Sequence, residues 1–272
     1  MAKLQDLFTQ ARRARSGSGM GFLGKSRAES KAHAAALVVE FPSVNAGSAE
    51  AALKAGADGL LFHWDGKDKE ALATLKKELD SARAQQDDTV CGLIIGGNWE
   101  SLDTDAFTSI KDQGFNYITL PLNAPAHLLA QGPKEVEKVV ILPSQSVLSP
   151  LRSGDISPYF TIRNLSALDG IAAILLDFDL GDKQLGKLTI EDVLHYSTVR
   201  SSVQYPAFIR VNNNLNEADA RTLKALTIQG VILTADKSIE STQEQIKSLR
   251  TVLEKIHEEK NDSTSLSLPP RP

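Results

Sequence analysis

The sequence predicts an α/β protein built as a single (β/α)8 barrel, with a helical N-terminal extension over residues 1–33, the barrel over 34–260 and a disordered tail over 261–272. Three observations carry this. Eight short apolar runs rich in Val, Ile and Leu recur at fairly even spacing. Amphipathic segments separate them. No break divides the series into two halves, as the rival open, doubly wound sheet would. Continuous apolar runs of this length fit strands buried on both faces, as in parallel sheets. Eight strand–helix units can close on themselves.

In the extension, Leu4, Leu7, Phe8 and Ala11 form an apolar stripe, followed by Arg12, Arg13 and Arg15. This reads as a helix covering part of the barrel; a basic, surface-binding helix is the alternative. The strand runs are 37–41 (LVVEF), 59–64 (GLLFHW), 90–97 (VCGLIIGG) and 117–122 (YITLPL). They continue as 139–144 (VVILPS), 171–178 (IAAILLDF), 207–212 (AFIRVN) and 230–234 (GVILT). Helical spacing marks 48–55, 67–84, 104–113, 124–130, 190–201, 217–229 and 241–259, with the faintest pattern at 159–168. Gly56, Gly114, Gly170 and Gly230 stand just before strands, where glycine closes a helix C-terminus. The tail, NDSTSLSLPPRP, is polar and Pro-rich, which predicts disorder.

Composition excludes several classes. A net charge of −4 gives no electrostatic reason to expect a nucleic-acid partner. The single cysteine, Cys91, excludes an intramolecular disulfide framework and a Cys-rich zinc site. No apolar run approaches the ~20 residues of a membrane span. The absence of an apolar signal core, together with the lone thiol, predicts a cytoplasmic protein.

Residues 19–26 read GMGFLGKS and satisfy the phosphate-loop pattern from Gly19 to Ser26, with Lys25 placed to reach phosphates. Such a loop must follow a buried strand, and residues 1–18 contain none. The better reading is a glycine-rich linker, which leaves open an anion held by its amides and Lys25.

In a (β/α)8 barrel, chemistry sits where strands run into the following helices. The polar residues there are Glu40, His63, Asp65, Asn98, Asn123, Ser144, Gln145, Asp177, Asp179, Arg210, Asn212, Thr234, Asp236 and Lys237. Glu40 in VVEF, Asp177 in ILLDF and Arg210 in FIRV are embedded in strand sequence. A charge so placed needs a partner. The bland reading is a stabilising pair of Arg210 with Glu40 or with Asp177. Trp64 and Trp99, just past the second and third runs, are candidates for a ligand wall; packing of loops on the barrel is the alternative. The places after runs seven and eight, RVNNNLNE and LTADKSIE, lack glycine, which disfavours the usual phosphate site. Thr234, Lys237 and Ser238 at the start of the last helix remain candidates for an anion.

The phrases AGADGLLF (55–62) and LDGIAAILLDFD (168–179) resemble the helix-to-strand turns of small aldolase-like and phosphate-binding TIM barrels over roughly 34–258. The chain matches no family's catalytic motif. No strand interior carries a lysine suited to Schiff-base chemistry, which argues against that mechanism.

The resulting expectation is a small-molecule enzyme of lyase or aldolase type. Glu40, His63 and Asp177 are the catalytic candidates, with His63 as general acid or base. Asn98, Gln145, Arg210 and Asn212 would bind substrate, Arg210 gripping a carboxylate or phosphate. Glu40, Asp177 and Asp179 would ligate Mg2+ or Mn2+. Residues 145–159, bounded in flexibility by Pro150 and Pro158, would form a lid carrying Arg152 or Asp155 to the site. The alternatives are a non-catalytic ligand- or partner-binding barrel, and nucleotide or phosphate binding through 19–26. A homo-oligomer is compatible with all three.

Overall fold

The computed structural model describes residues 4–11, 32–84, 86–143, 163–177, 188–211 and 216–264. Its strands are β1 (Ala36–Phe41), β2 (Gly59–Trp64), β3 (Val90–Ile95), β4 (Tyr117–Pro121), β5 (Glu137–Pro143), β6 (Ile171–Asp177), β7 (Ala207–Val211) and β8 (Gly230–Thr234). They pair in parallel in chain order, and β1 pairs with β8 to close the barrel. The helices are α1 (Leu4–Ala11), α2 (Ser48–Ala55), α3 (Lys69–Arg83), α4 (Thr104–Asp112), α5 (His127–Ala130), α6 (Ile190–Ser202), α7 (Glu217–Ala225) and α8 (Ile239–Thr264).

Strand alternation sorts the apolar residues into two shells. Leu37, Val39, Leu60, Phe62, Leu93, Ile174 and their equivalents pack outward against the helices. Ala36, Val38, Leu61, Tyr117, Val139, Leu175, Phe208 and Ile232 fill the interior. The apolar stripe of α1 belongs to that interior shell: Leu4, Leu7, Phe8 and Ala11 are buried with it, and the Phe8 and Phe208 rings lie 5.1 Å apart. The Leu4 N–H donates to Glu137 Oε2 at 2.8 Å, giving the first turn of α1 a carboxylate partner. The extension thus begins with a helix that covers the N-terminal end of the barrel.

Several boundaries depart from the sequence reading. The helix expected over 124–130 is a single turn, because Pro121 and Pro125 interrupt the approach to it. Of the faint pattern at 159–168, the described residues hold helical residues 163–164 running into a 3-10 turn at Leu165–Ala167. The last helix runs on to Thr264, past the expected start of the tail. Gly56, Gly114 and Gly170 have positive φ just after helical turns, as expected. Gly230 does not. It is the first residue of β8, and a Cβ there would lie 2.3 Å from the Phe208 ring, so glycine is needed for space and not for backbone conformation.

A second ionic cluster ties β1 to α8. Asp58 Oδ2 lies 2.7 Å from His33 Nε2 and accepts the Leu37 N–H at 2.8 Å, with Arg250 Nη1 3.5 Å from Oδ1. Burial raises the Asp58 pKa, but His33, Arg250 and the backbone N–H outweigh burial and hold the carboxyl below its ordinary value of 3.8. The folded state therefore binds fewer protons here than the unfolded state. Stability from Asp58 is present above about pH 4 and lost as pH falls through the folded value. Asp58→Asn should cost about 2–3 kcal/mol at pH 7. That deficit should shrink between pH 5 and pH 3 in urea titrations. A pH-independent deficit would exclude the carboxylate as its source.

Candidate functional site

The mouth is built by continuing the inward register of each strand. Glu40 lies two residues beyond Val38, His63 two beyond Leu61, Asp177 two beyond Leu175, Arg210 two beyond Phe208 and Thr234 two beyond Ile232. A period of two sends all five side chains inward, one layer above the apolar filling. Closure of the ring brings them together.

Glu40 is the centre. Its side chain is 4% exposed, against 23% for Arg210, 37% for His63 and 40% for Asp177. Arg210 donates from Nε to Glu40 Oε2 at 2.8 Å and from Nη2 to Oε1 at 3.2 Å, a side-on bidentate bridge. Its Nη1 donates to Asp177 Oδ1 at 2.6 Å. His63 Nε2 lies 2.7 Å from Glu40 Oε1, and the Thr234 hydroxyl donates to Oε2 at 3.4 Å. Burial would push the Glu40 carboxyl up, but the His63 hydrogen bond and the Arg210 charge hold it below its usual range. Burial alone would also weaken Arg210 as a base; Glu40 and Asp177 more than reverse that and keep it protonated.

Arg210 thus engages both carboxylates that the sequence offered as alternative partners. Thr234 joins the network through Glu40. Its signal was its parity with Ile232.

Asn98 lies apart from this network. Its Nδ2 donates to the Asp65 carbonyl at 3.0 Å, bracing the turns after β2 and β3, and the backbone there is left-handed at φ 52°. The tryptophan wall is not formed. Trp64 follows inward-facing His63 and so points outward, buried in the outer shell with its Nε1–H on the Asp68 carbonyl, and Trp99 packs against the same shell. Gln145, Asp179, Asn212, Ser144, the expected lid over 145–159 and the loop over 19–26 lie outside the described residues.

Of the expected metal ligands Glu40, Asp177 and Asp179, the last lies outside the described residues. Both Glu40 oxygens accept hydrogen bonds within the network, and Arg210 stands between Glu40 and Asp177. Among the described residues no three His, Cys, Asp or Glu side chains are grouped to hold an ion.

The helix starts after β7 and β8 are also occupied. Before α7, Asn216 Oδ1 accepts the Ala218 and Asp219 N–H groups, and Asp219 Oδ2 accepts the Asn216 N–H. Before α8, Asp236 accepts the Lys237 N–H and the Ser241 hydroxyl, while Ser238 Oγ accepts the Ser241 N–H and donates to Glu240. Carboxylates therefore sit where an anion at Thr234, Lys237 and Ser238 was a candidate.

No protein-family model and no curated protein matches this sequence. Solved structures do. A mutant of the tryptophan synthase alpha-subunit from Pyrococcus furiosus is similar at TM-score 0.56 and 10% identity, covering 80% of this chain and 98% of that one. Phosphoribosyl anthranilate isomerase from Thermus thermophilus is similar at 0.55 and 12%, covering 80% and 98%. A protein from Aquifex aeolicus VF5 is similar at 0.57 and 14%, covering 82% and 95%. At such identities the likeness establishes the fold: this chain is a TIM barrel. Among the described residues no helix is long and apolar enough to cross a membrane.

Proposed function

We propose that this chain is a small-molecule enzyme of lyase type, working by acid–base chemistry at the barrel mouth with His63 as the proton carrier. The observation that supports the reading is the dyad of buried Glu40 with half-exposed His63. Donation from Nε2 to Glu40 fixes the tautomer and leaves Nδ1 as the basic nitrogen. Among the described residues Nδ1 has no hydrogen-bond partner.

For a hydroxy-carbonyl substrate the electron flow is simple. His63 Nδ1 takes the hydroxyl proton. The electron pair left on oxygen forms a carbonyl as the adjacent C–C bond breaks, and the pair from that bond becomes an enolate. The imidazolium then returns its proton to the enolate carbon. Glu40 stabilises the imidazolium while it exists. Arg210 uses three of its five N–H donors on Glu40 and Asp177, which leaves two for the enolate oxygen. The similarity to barrels named as a synthase subunit and an isomerase supports a small-molecule enzyme in general and no particular reaction.

The test is deuterium exchange. The chain is incubated in D2O with hydroxy-ketones, hydroxy-aldehydes and keto acids, and incorporation next to the carbonyl is followed by proton NMR. At least one compound should exchange, with a loss of about 100-fold in His63→Asn and no loss on adding EDTA. Exchange equal to wild type in that variant, or none with any compound, would sink the reading. Loss with EDTA would restore the metal. A second reading, a network that only stabilises the barrel, is favoured by the bidentate closure of Arg210 on Glu40. It predicts that His63→Asn alters melting alone.

A further inference from the structure

We infer that the mouth selects small neutral or cationic molecules rich in hydroxyl or amine donors, and disfavours phosphorylated or carboxylated ones. The inference rests on the acid–base reading only in placing the ligand beside His63; its own ground is the distribution of charge.

Two carboxylates, Glu40 and Asp177, face one guanidinium in the inward layer. With His63 neutral, that set carries one net negative charge. The cation is already neutralised: Arg210 spends three of its five N–H donors on Glu40 and Asp177. An entering carboxylate must compete with carboxylates already in place. Apart from the two N–H groups left on Arg210, the unspent polar atoms of Glu40, Asp177 and His63 are acceptors. Asp177 uses only Oδ1, so Oδ2 remains on a side chain 40% exposed, and His63 Nδ1 is a lone pair. Acceptors recognise donors, such as hydroxyl, amine or ammonium groups.

The helices reinforce this. In a (β/α)8 barrel every βα helix points its N-terminus, the positive end of its dipole, toward the mouth. Here five of them carry their own carboxylate at that end. Asp68 caps α3 and Asp103 caps α4, each accepting first-turn N–H groups. Asp192 closes a capping box with Thr189 at α6, Asp219 does so with Asn216 at α7, and Asp236 takes the Lys237 N–H just before α8. One or two of the N–H groups that attract phosphate in this architecture are therefore hydrogen-bonded internally at each of these starts, beside a negative charge. α7 and α8 follow the two strands where phosphate sites are usual.

The experiment uses the full chain and probe pairs that differ in their charged groups: dihydroxyacetone against its phosphate, ethanolamine against phosphoethanolamine, and putrescine against succinate. Binding is read by ligand-detected NMR and by the rise in melting temperature. The uncharged or amine member should bind about fivefold more tightly than its anionic counterpart, the scale of one unfavourable charge near 4 Å in water. Asp177→Asn should remove most of the amine response while melting cooperatively. Tighter binding of the phosphate or carboxylate member overturns the proposal, as does failure of every neutral and amine probe to bind. To place any phosphate that does bind, Lys237→Gln is measured as well; a response lost there puts the anion at α8 and confirms the overturn. His63-dependent exchange confined to anionic substrates would defeat the charge preference and leave the acid–base reading standing. Donor-rich probes that bind through Asp177 without His63-dependent exchange would do the reverse.

Discussion

Arg210→Met should destabilise the barrel by about 3 kcal/mol at pH 8, the scale for removing one partner of a buried ion pair. For a chain of this size that is a fall of about 6–12 °C in melting temperature. The loss lies less in the vanished bridge than in what stays behind: Glu40, 4% exposed, with its bidentate partner gone. In the native chain the Glu40 pKa is depressed, so its contribution to stability is present at neutral pH and lost as pH falls through the folded value. In the variant the sign reverses. Burial, no longer opposed by Arg210, outweighs the His63 hydrogen bond and pushes the Glu40 carboxyl up. The folded pKa of Glu40 then lies above its unfolded one, and its stability is fully present at low pH and lost as pH rises. Urea melts should therefore show the variant recovering between pH 8 and pH 5. The double variant Glu40→Leu/Arg210→Met removes both charges and should lie closer to wild type than Arg210→Met alone. A single variant within ~0.5 kcal/mol of wild type at both pH values would mean that water already solvates Glu40.

The barrel was legible because parallel strands buried on both faces leave continuous apolar runs. β2 and β8 match their runs residue for residue, β1 and β5 begin one and two residues before theirs, and β3 and β4 stop short of theirs, where an apolar run extends beyond the last ladder pairing. The charges of the mouth were legible for the same reason: Glu40, Asp177 and Arg210 interrupt sequence that is otherwise apolar. Their common face followed from parity. Which of them touch did not, because pairing depends on the stagger of a closed sheet, and one sequence carries no record of that stagger. The outward turn of Trp64 was available to parity, since it adjoins inward-facing His63, but aromatic character at a strand end suggested a ligand wall instead. Gly230 lies at the opposite extreme. Its position fits a helix C-cap as well as a strand start, and the Phe208 ring paired with it on β7 distinguishes the two.

That pairing of ring and glycine recurs one layer around the barrel, and Gly92→Ala is the sharpest test of it. Gly92 lies in β3 and Tyr117 in β4, and the two residues are directly paired. An added Cβ would lie 2.3 Å from two ring atoms of Tyr117, far inside van der Waals contact. The ring has little room to yield, because Tyr117 is 1% exposed within the interior shell. Backbone conformation is not the obstacle, since Gly92 is absent from the positive-φ glycines. The cost is therefore overpacking, about 3 kcal/mol, or roughly 6–12 °C in melting temperature. Tyr117→Leu provides the relief. It removes the colliding ring and a hydroxyl that makes no hydrogen bond among the described residues, at the expense of a cavity. If steric conflict is the cause, the two substitutions are strongly non-additive, and the double variant is more stable than Gly92→Ala alone, with a coupling of about 1–2 kcal/mol. Additive losses would show that the alanine methyl and the ring never met, and that the interior shell relaxes around the substitution.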